Sequence, residues 1–383
     1  MAEEIAPKVE EIRGLKFKRA VPVKLVDDAA ARAHFKSRLA RLWPKSRMRV
    51  EQTVYAHLGL VPATTDMEAA LFSLLEEQAG GFYDPESDAF FVLNDMPRSS
   101  APLLMAHELT HALDDQHHDI DKLIEKVKED EDRMAVVGAV VEGSGMAVMS
   151  GFLVREIQAG RMTQEALMDL AQSEAGKAEK LRAAPELLQR TLLAPYLLGQ
   201  SFVLRGDPLG AIKGVQPADL DRLFRDLPAS TEQLLHPEKY WEGDKSDLPR
   251  AVAIPDLSKH LGDGWSLAGR GTLGELVIAI MTGSEAVDLM SAASGSPALW
   301  TNQAASGWGG DTWHLYSRGE SHVTLLVTRW DTEADAQELE SGLKPAEARR
   351  VLRHGDTVIL VVGDARERSQ ALGQAALASL SSP

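Results

Sequence analysis

The chain has no cysteine in 383 residues. Disulfides, thiolate metal ligands and cysteine nucleophiles are therefore excluded, and any metal must be held by His, Asp or Glu. Cations are also short: 41 Lys and Arg stand against 57 Asp and Glu, a net charge of −16. That balance argues against a phosphate-neutralising nucleic-acid surface and against adhesion to an anionic membrane. The basic stretch Lys16, Lys18 and Arg19 is too short to reverse it. Long apolar runs are missing too, because the best candidates, Ala135–Val141 and Val358–Val362, are shorter than a bilayer crossing needs. The opening MAEEIAPKVEEIRG lacks the apolar centre of a secretory signal. The expectation is a soluble chain, cytoplasmic as given, or periplasmic or secreted if a leader was removed.

With 44% hydrophobic and 26% charged residues the composition is that of an ordinary globular protein, long enough for two domains. Residues 15–26 read as a strand, and 28–42, 46–58 and 66–78 as helices. GGFYDPESDAFFVLND, with apolar residues around an Asp-Pro turn, predicts a β-hairpin. Helices are expected from Pro102 to about Asp115 and from Met134 to about Ile157, the second apolar, rich in small residues and buried. More helical periods cover 163–205 and 217–226. Residues 241–265, rich in Asp, Gly, Pro and Ser, suit a boundary. Beyond it come a helix at 272–283, strands at 311–318 and 321–330, a helix at 332–343, two strands within 348–363 and a final helix at 366–380. The expected fold is α+β: a mostly helical domain with a small sheet over 1–245, then a ββαββα domain of the split βαβ, ferredoxin-like kind over 246–383.

The chemistry concentrates in His107-Glu108-Leu109-Thr110-His111. Residues four apart share a helix face, so His107 and His111 can present two imidazoles to one zinc ion. Glu108, one step round, is placed to act on a water as general base. Two residues compete for the third ligand position. Glu142 is a lone carboxylate inside the apolar stretch AVVEGSG, and burying it unpaired would be strongly unfavourable. Gly138, Gly143 and Gly145 would let its helix approach the first one. His117 has the spacing HExxHxxGxxH, but Asp114 stands where that pattern has its turn-making glycine. On a continued helix His117 points away, and His118 lies roughly 10 Å beyond His111. Glu142 is the stronger choice. One carboxylate of the run from Asp114 to Asp119 is a candidate to accept from the second nitrogen of a ligand histidine. The remaining histidines, His34 among them, show no ligand spacing.

AHELTHALDDQHHDI followed by VVEGSG resembles gluzincin-type, thermolysin-like zinc peptidases, whose third ligand is a glutamate on a following helix. More narrowly the chain is similar to a poorly characterised bacterial family with GFYDP, HELTHALxDQHxDL, VEGDA-like, PYxxG and STEQxLHPxKY segments, matched over about residues 80–240. Ser144 departs from that pattern, standing where an Asp is usual, which bears on how firmly metal is held. The resemblance implies a zincin-type domain with one zinc ion, a peptide or protein substrate, and a histidine and a tyrosine to stabilise the oxyanion. His236, Tyr240 and Tyr196 are the candidates, and the strand edge near Phe90 to Leu93 is the expected seat of an extended substrate. The rival reading is a metal-stabilised structural or partner-binding module without turnover. The choice of ligand gives a test: Glu142→Ala should abolish stoichiometric zinc binding in a chelator-competition titration, and His117→Ala should leave it intact.

Overall fold

The computed structural model describes residues 1–78, 80–94, 100–162, 168, 178–207, 209–283, 296–344 and 349–380. Part of the helical span expected at 163–205 lies outside them.

The helical part is built on α1 (Ala2–Arg13), α2 (Asp28–Leu42), α3 (Lys45–Leu58), α4 (Met67–Gln78), α5 (Ala101–His118), α6 (Ile120–Val127) and α7 (Glu131–Gln158). It continues with α8 (Ala178–Ala183), α9 (Glu186–Val203), α10 (Gly210–Lys213), α11 (Pro217–Arg225), α12 (Thr231–Leu235) and α13 (Glu238–Trp241). Helix α1 was not expected from the sequence. Its charged residues mask an apolar face of Ile5, Val9 and Ile12, which is buried, and Gly14 closes it with φ 77°. The strand expected at 15–26 shortens accordingly to β1 (Val23–Val26). Helix α5 has Pro102 in its first turn and ends at Asp119, whose φ of 56° breaks the helix while its carboxylate caps α6. Asp130 caps α7 in the same way.

Strands β2 (Gly81–Asp84) and β3 (Ala89–Leu93) form the expected hairpin, and the sheet order is β1-β3-β2. Strand β3 is parallel to β1 and antiparallel to β2, so both its sides are paired. This corrects the expectation about Phe90 to Leu93: the backbone edge next to α5 belongs to β2. A hairpin pattern shows that two strands pair, but not which of them a distant strand will cover.

The second sheet contains β4 (Ser266–Gly271), β5 (Trp308–Arg318), β6 (Ser321–Trp330), β7 (Arg349–His354) and β8 (Thr357–Gly363), in the order β4-β5-β6-β8-β7. Every neighbouring pair is antiparallel, so β6 and β7 run parallel with β8 between them, linked by α15 (Glu333–Gly342). That is a split βαβ unit. Strand β4 was not read from the sequence; SLAGRG has no apolar alternation and joins through an irregular register. One face of the sheet (Trp308, Trp313, Leu326, Trp330, Leu360) shares a core with α3, α4 and α14 (Gly274–Thr282). The other face (Tyr316, Val323, Leu325, Val361) is covered by Leu372 and Ala376 of α16 (Ser369–Leu380).

Among the described residues, one helix, α7, is long and apolar enough to cross a membrane, and 61% of its most apolar window is buried inside the protein. It is packed between α5 and α9, in the position of a core helix. Glycines permit that packing. A Cβ on Gly199 would stand 2.3 Å from the Ala139 carbonyl oxygen, and one on Gly143 would stand 2.5 Å from the Gly199 carbonyl. Alanine is the better helix former by about 1 kcal/mol, but the collision is with backbone that cannot turn aside. Gly199→Ala should therefore lower stability by about 2–3 kcal/mol, seen as a lower urea midpoint at unchanged slope.

Candidate metal centre

Helix α5 presents His107 and His111 on one face, and α7 supplies Glu142 opposite. The two Nε2 atoms are 2.9 Å apart, and Glu142 Oε2 lies 3.0 Å from the first and 3.3 Å from the second. The imidazoles stand edge to face at 85°. Gly145 makes room for them: a Cβ there would be 2.7 Å from His107 Cε1 and 3.0 Å from His111 Cε1. Of the side-chain groups able to hold a metal among the described residues, one other trio exists, Glu232, Asp247 and Asp331. Its centre is taken by the Lys239 ammonium, which reaches the three carboxylates at 2.7, 2.7 and 3.2 Å, so it is an ion-pair network.

Two ligand atoms each about 2.0–2.1 Å from one ion at a tetrahedral angle lie about 3.3 Å apart. The observed separations are at or slightly below that value, and two nitrogens with one carboxylate oxygen are donors zinc accepts. Residues from two helices therefore fit a zinc ion. The inner ring nitrogens are less typical, because Nδ1 of His107 and of His111 are buried without a hydrogen-bond partner among the described residues. The carboxylate expected to accept from one of them is engaged elsewhere. Asp114 takes Arg13 and Ser144, and Asp115 takes the Tyr83 hydroxyl and the Ile120 N–H.

Glu108 is buried next to the ligands, and the Tyr83 N–H of the β2 edge donates to its Oε2 at 2.7 Å. Burial raises its carboxyl above the ordinary range against the pull of the two histidines. Burial lowers His111, but the carboxylates of Glu142, Glu108 and Asp114 together outweigh it and lift the imidazole to about 9. Tyr196 of α9 stacks beside His107 with ring centroids 6.2 Å apart. The Glu142 carboxylate, then burial, pushes its phenol well above 10, so it stays a donor. These residues open on a cavity of about 710 Å³, walled by apolar side chains such as Leu103, Ile124, Val137 and Met149 and by the β2 residues Gly81 to Tyr83.

The structure thus brings His107, Glu108, His111, Glu142 and Tyr196 together. It does not bring His236 or Tyr240 to them. His236 Nε2 lies 3.0 Å from the buried Glu275, and the Tyr240 hydroxyl donates to the Asp226 carbonyl at 2.6 Å. Neither lines the cavity. The STEQLLHPEKY segment is a buried joint: Thr231 bonds Asp132 of α7 and receives the Leu276 N–H of α14. His117 faces away, 2.8 Å from the Lys16 carbonyl, and His118 stacks on Phe224. His34 and Arg38 of α2 line the cavity and were not singled out from the sequence. Their spacing of four places them on one helix face, but no local signal says that this face meets a site some seventy residues away.

A proton held at His111 competes with metal, and zinc needs the neutral imidazole. The His111 pKa lies above its ordinary value, so the competition extends from acid pH up to about 9. Apparent zinc affinity should rise about tenfold per pH unit across the neutral range and flatten above about 9, measured by chelator competition in a pH series.

Residues 265–372, from the start of the second sheet into its last helix, match a family described as Domain of unknown function (DUF8575). No curated protein and no solved structure matches the chain.

Proposed function

We propose that this protein is a gluzincin-type zinc peptidase that hydrolyses peptide bonds with His107, His111 and Glu142 as ligands and Glu108 as general base. The reading is carried by one observation: two imidazole nitrogens and a carboxylate oxygen converge within 3.3 Å of one another at the wall of an apolar cavity, with a buried glutamate beside them. A structural site has no need of that glutamate, nor of a cavity at the ligands.

Bound there, zinc would polarise the scissile carbonyl and make the attacking water more acidic. The protein's own residues divide the rest. Glu108 takes the proton from the water and passes it to the leaving nitrogen; a buried carboxyl with a raised pKa suits both directions of transfer. Tyr83 N–H, fixed on Oε2, orients that carboxyl. Tyr196, held protonated beside Glu142, is the donor for the developing oxyanion. The outer edge of β2, unpaired by any strand among the described residues, offers main-chain partners to an extended substrate, and the apolar cavity wall excludes water around it.

Glu108→Gln keeps the shape and removes the base. It should retain zinc while chelator-sensitive cleavage of a mixed peptide library falls by about 10²–10⁴-fold. Zinc bound by the native chain with no cleavage of any library would instead favour a metal-stabilised module.

A further inference from the structure

Behind the ligand triad, one polar contact joins α5 to α7. Ser144 Oγ donates to Asp114 Oδ2 at 2.6 Å, and both side chains are fully buried. Asp114 lies one turn beyond His111, and Ser144 lies two residues beyond Glu142. The contact therefore ties together the two backbones that carry the ligands, within a turn of each.

The second Asp114 oxygen accepts from Arg13 Nε at 2.6 Å, and the same guanidinium reaches Asp221 at 2.9 Å. Arg13 is wholly buried and comes from α1, so the N-terminal helix supplies the charge that offsets the buried carboxylate. Both Asp114 oxygens are thus used as acceptors, one toward α1 and one toward α7.

The ligand rings have no comparable support from the protein, since neither Nδ1 has a partner among the described residues. Their position must come from the helices that carry them. Gly145, next to Ser144, lets α7 come up against both imidazoles, but a glycine sets no distance by attraction. The Asp114–Ser144 hydrogen bond does.

We infer that Asp114 and Ser144 are positioning residues for the metal centre, bracing α5 against α7 so that Glu142 reaches both histidines. This rests on the ligand set proposed above. It gives Ser144 a role as a donor in a brace whose carboxylate is on the other helix.

The test uses the full-length protein and needs no substrate. Zinc affinity is measured by chelator competition, and the visible spectrum is recorded after cobalt substitution, for the native chain, Ser144→Ala and Val148→Ala. Val148 is a fully buried residue one turn further along α7 that makes no polar contact, so its truncation loosens the same helix without touching the brace. Ser144→Ala should weaken zinc by about 10–100-fold, the range for loss of a supporting contact around a metal, and shift the cobalt bands as Glu142 withdraws. Val148→Ala should keep native affinity and spectrum. Native zinc affinity in Ser144→Ala, or equal weakening in both variants, overturns the inference alone. A native chain that binds no zinc overturns it together with the ligand assignment.

Discussion

Everything at the candidate centre depends on how closely α7 can approach the helices on either side of it. On the α5 side, Gly145 leaves no Cβ where the two imidazoles lie. On the α9 side, Gly143 and Gly199 meet backbone to backbone, and Pro195 packs over Gly138. Close packing of this kind stores no slack, because a methyl group at any of the three tight positions would have to displace main chain or a histidine ring. The same approach that buries α7 also sets Glu142 against His107 and His111 and brings Tyr196 beside them. Core packing and site assembly are here one constraint.

A second constraint is the saturation of the polar run that follows the histidines. Asp114 pairs with Arg13 and Ser144, and Asp115 holds the Tyr83 hydroxyl. Gln116 exchanges hydrogen bonds with the backbone of Lys18 and Arg19, and His117 meets the Lys16 carbonyl. The N-terminal segment is thereby fastened along the outer side of the metal helix, residue by residue. Tyr83 is fixed at both ends to that helix, through its N–H on Glu108 and its hydroxyl on Asp115 two turns later, which sets β2 alongside α5. The run expected to lend a carboxylate to a histidine ring is instead an anchoring surface for the N-terminal segment and the hairpin.

Local signals in the chain were sufficient for most elements and for the convergence of His107, His111 and Glu142. The four-residue spacing of His107 and His111, the lone carboxylate of Glu142 in an apolar helix, and the short runs rich in β-branched residues at 321–330 and 357–363 each report on short-range geometry, which sequence encodes directly. Helix α1 escaped because its three core residues are diluted by glutamates and lysine, and β4 escaped because SLAGRG has no alternation to read. His236 and Tyr240 are candidates through the family resemblance alone, and their segment is a buried joint between the helices and the second sheet.

By itself, then, the sequence determined which residues carry the donor chemistry and spacing of a candidate metal site and which carboxylate stands beside them, because donor chemistry and helical spacing are properties of a few neighbouring residues. Tertiary structure alone decided the rest. It showed that β2 and not β3 forms the sheet edge beside α5 among the described residues, that Tyr196 and not Tyr240 stands by His107, and that Asp114 faces Ser144 and Arg13 rather than a histidine ring. Each of these is a contact between segments 30 to 100 residues apart in the chain, and long-range contacts are set by packing of whole elements, for which no local pattern is a record.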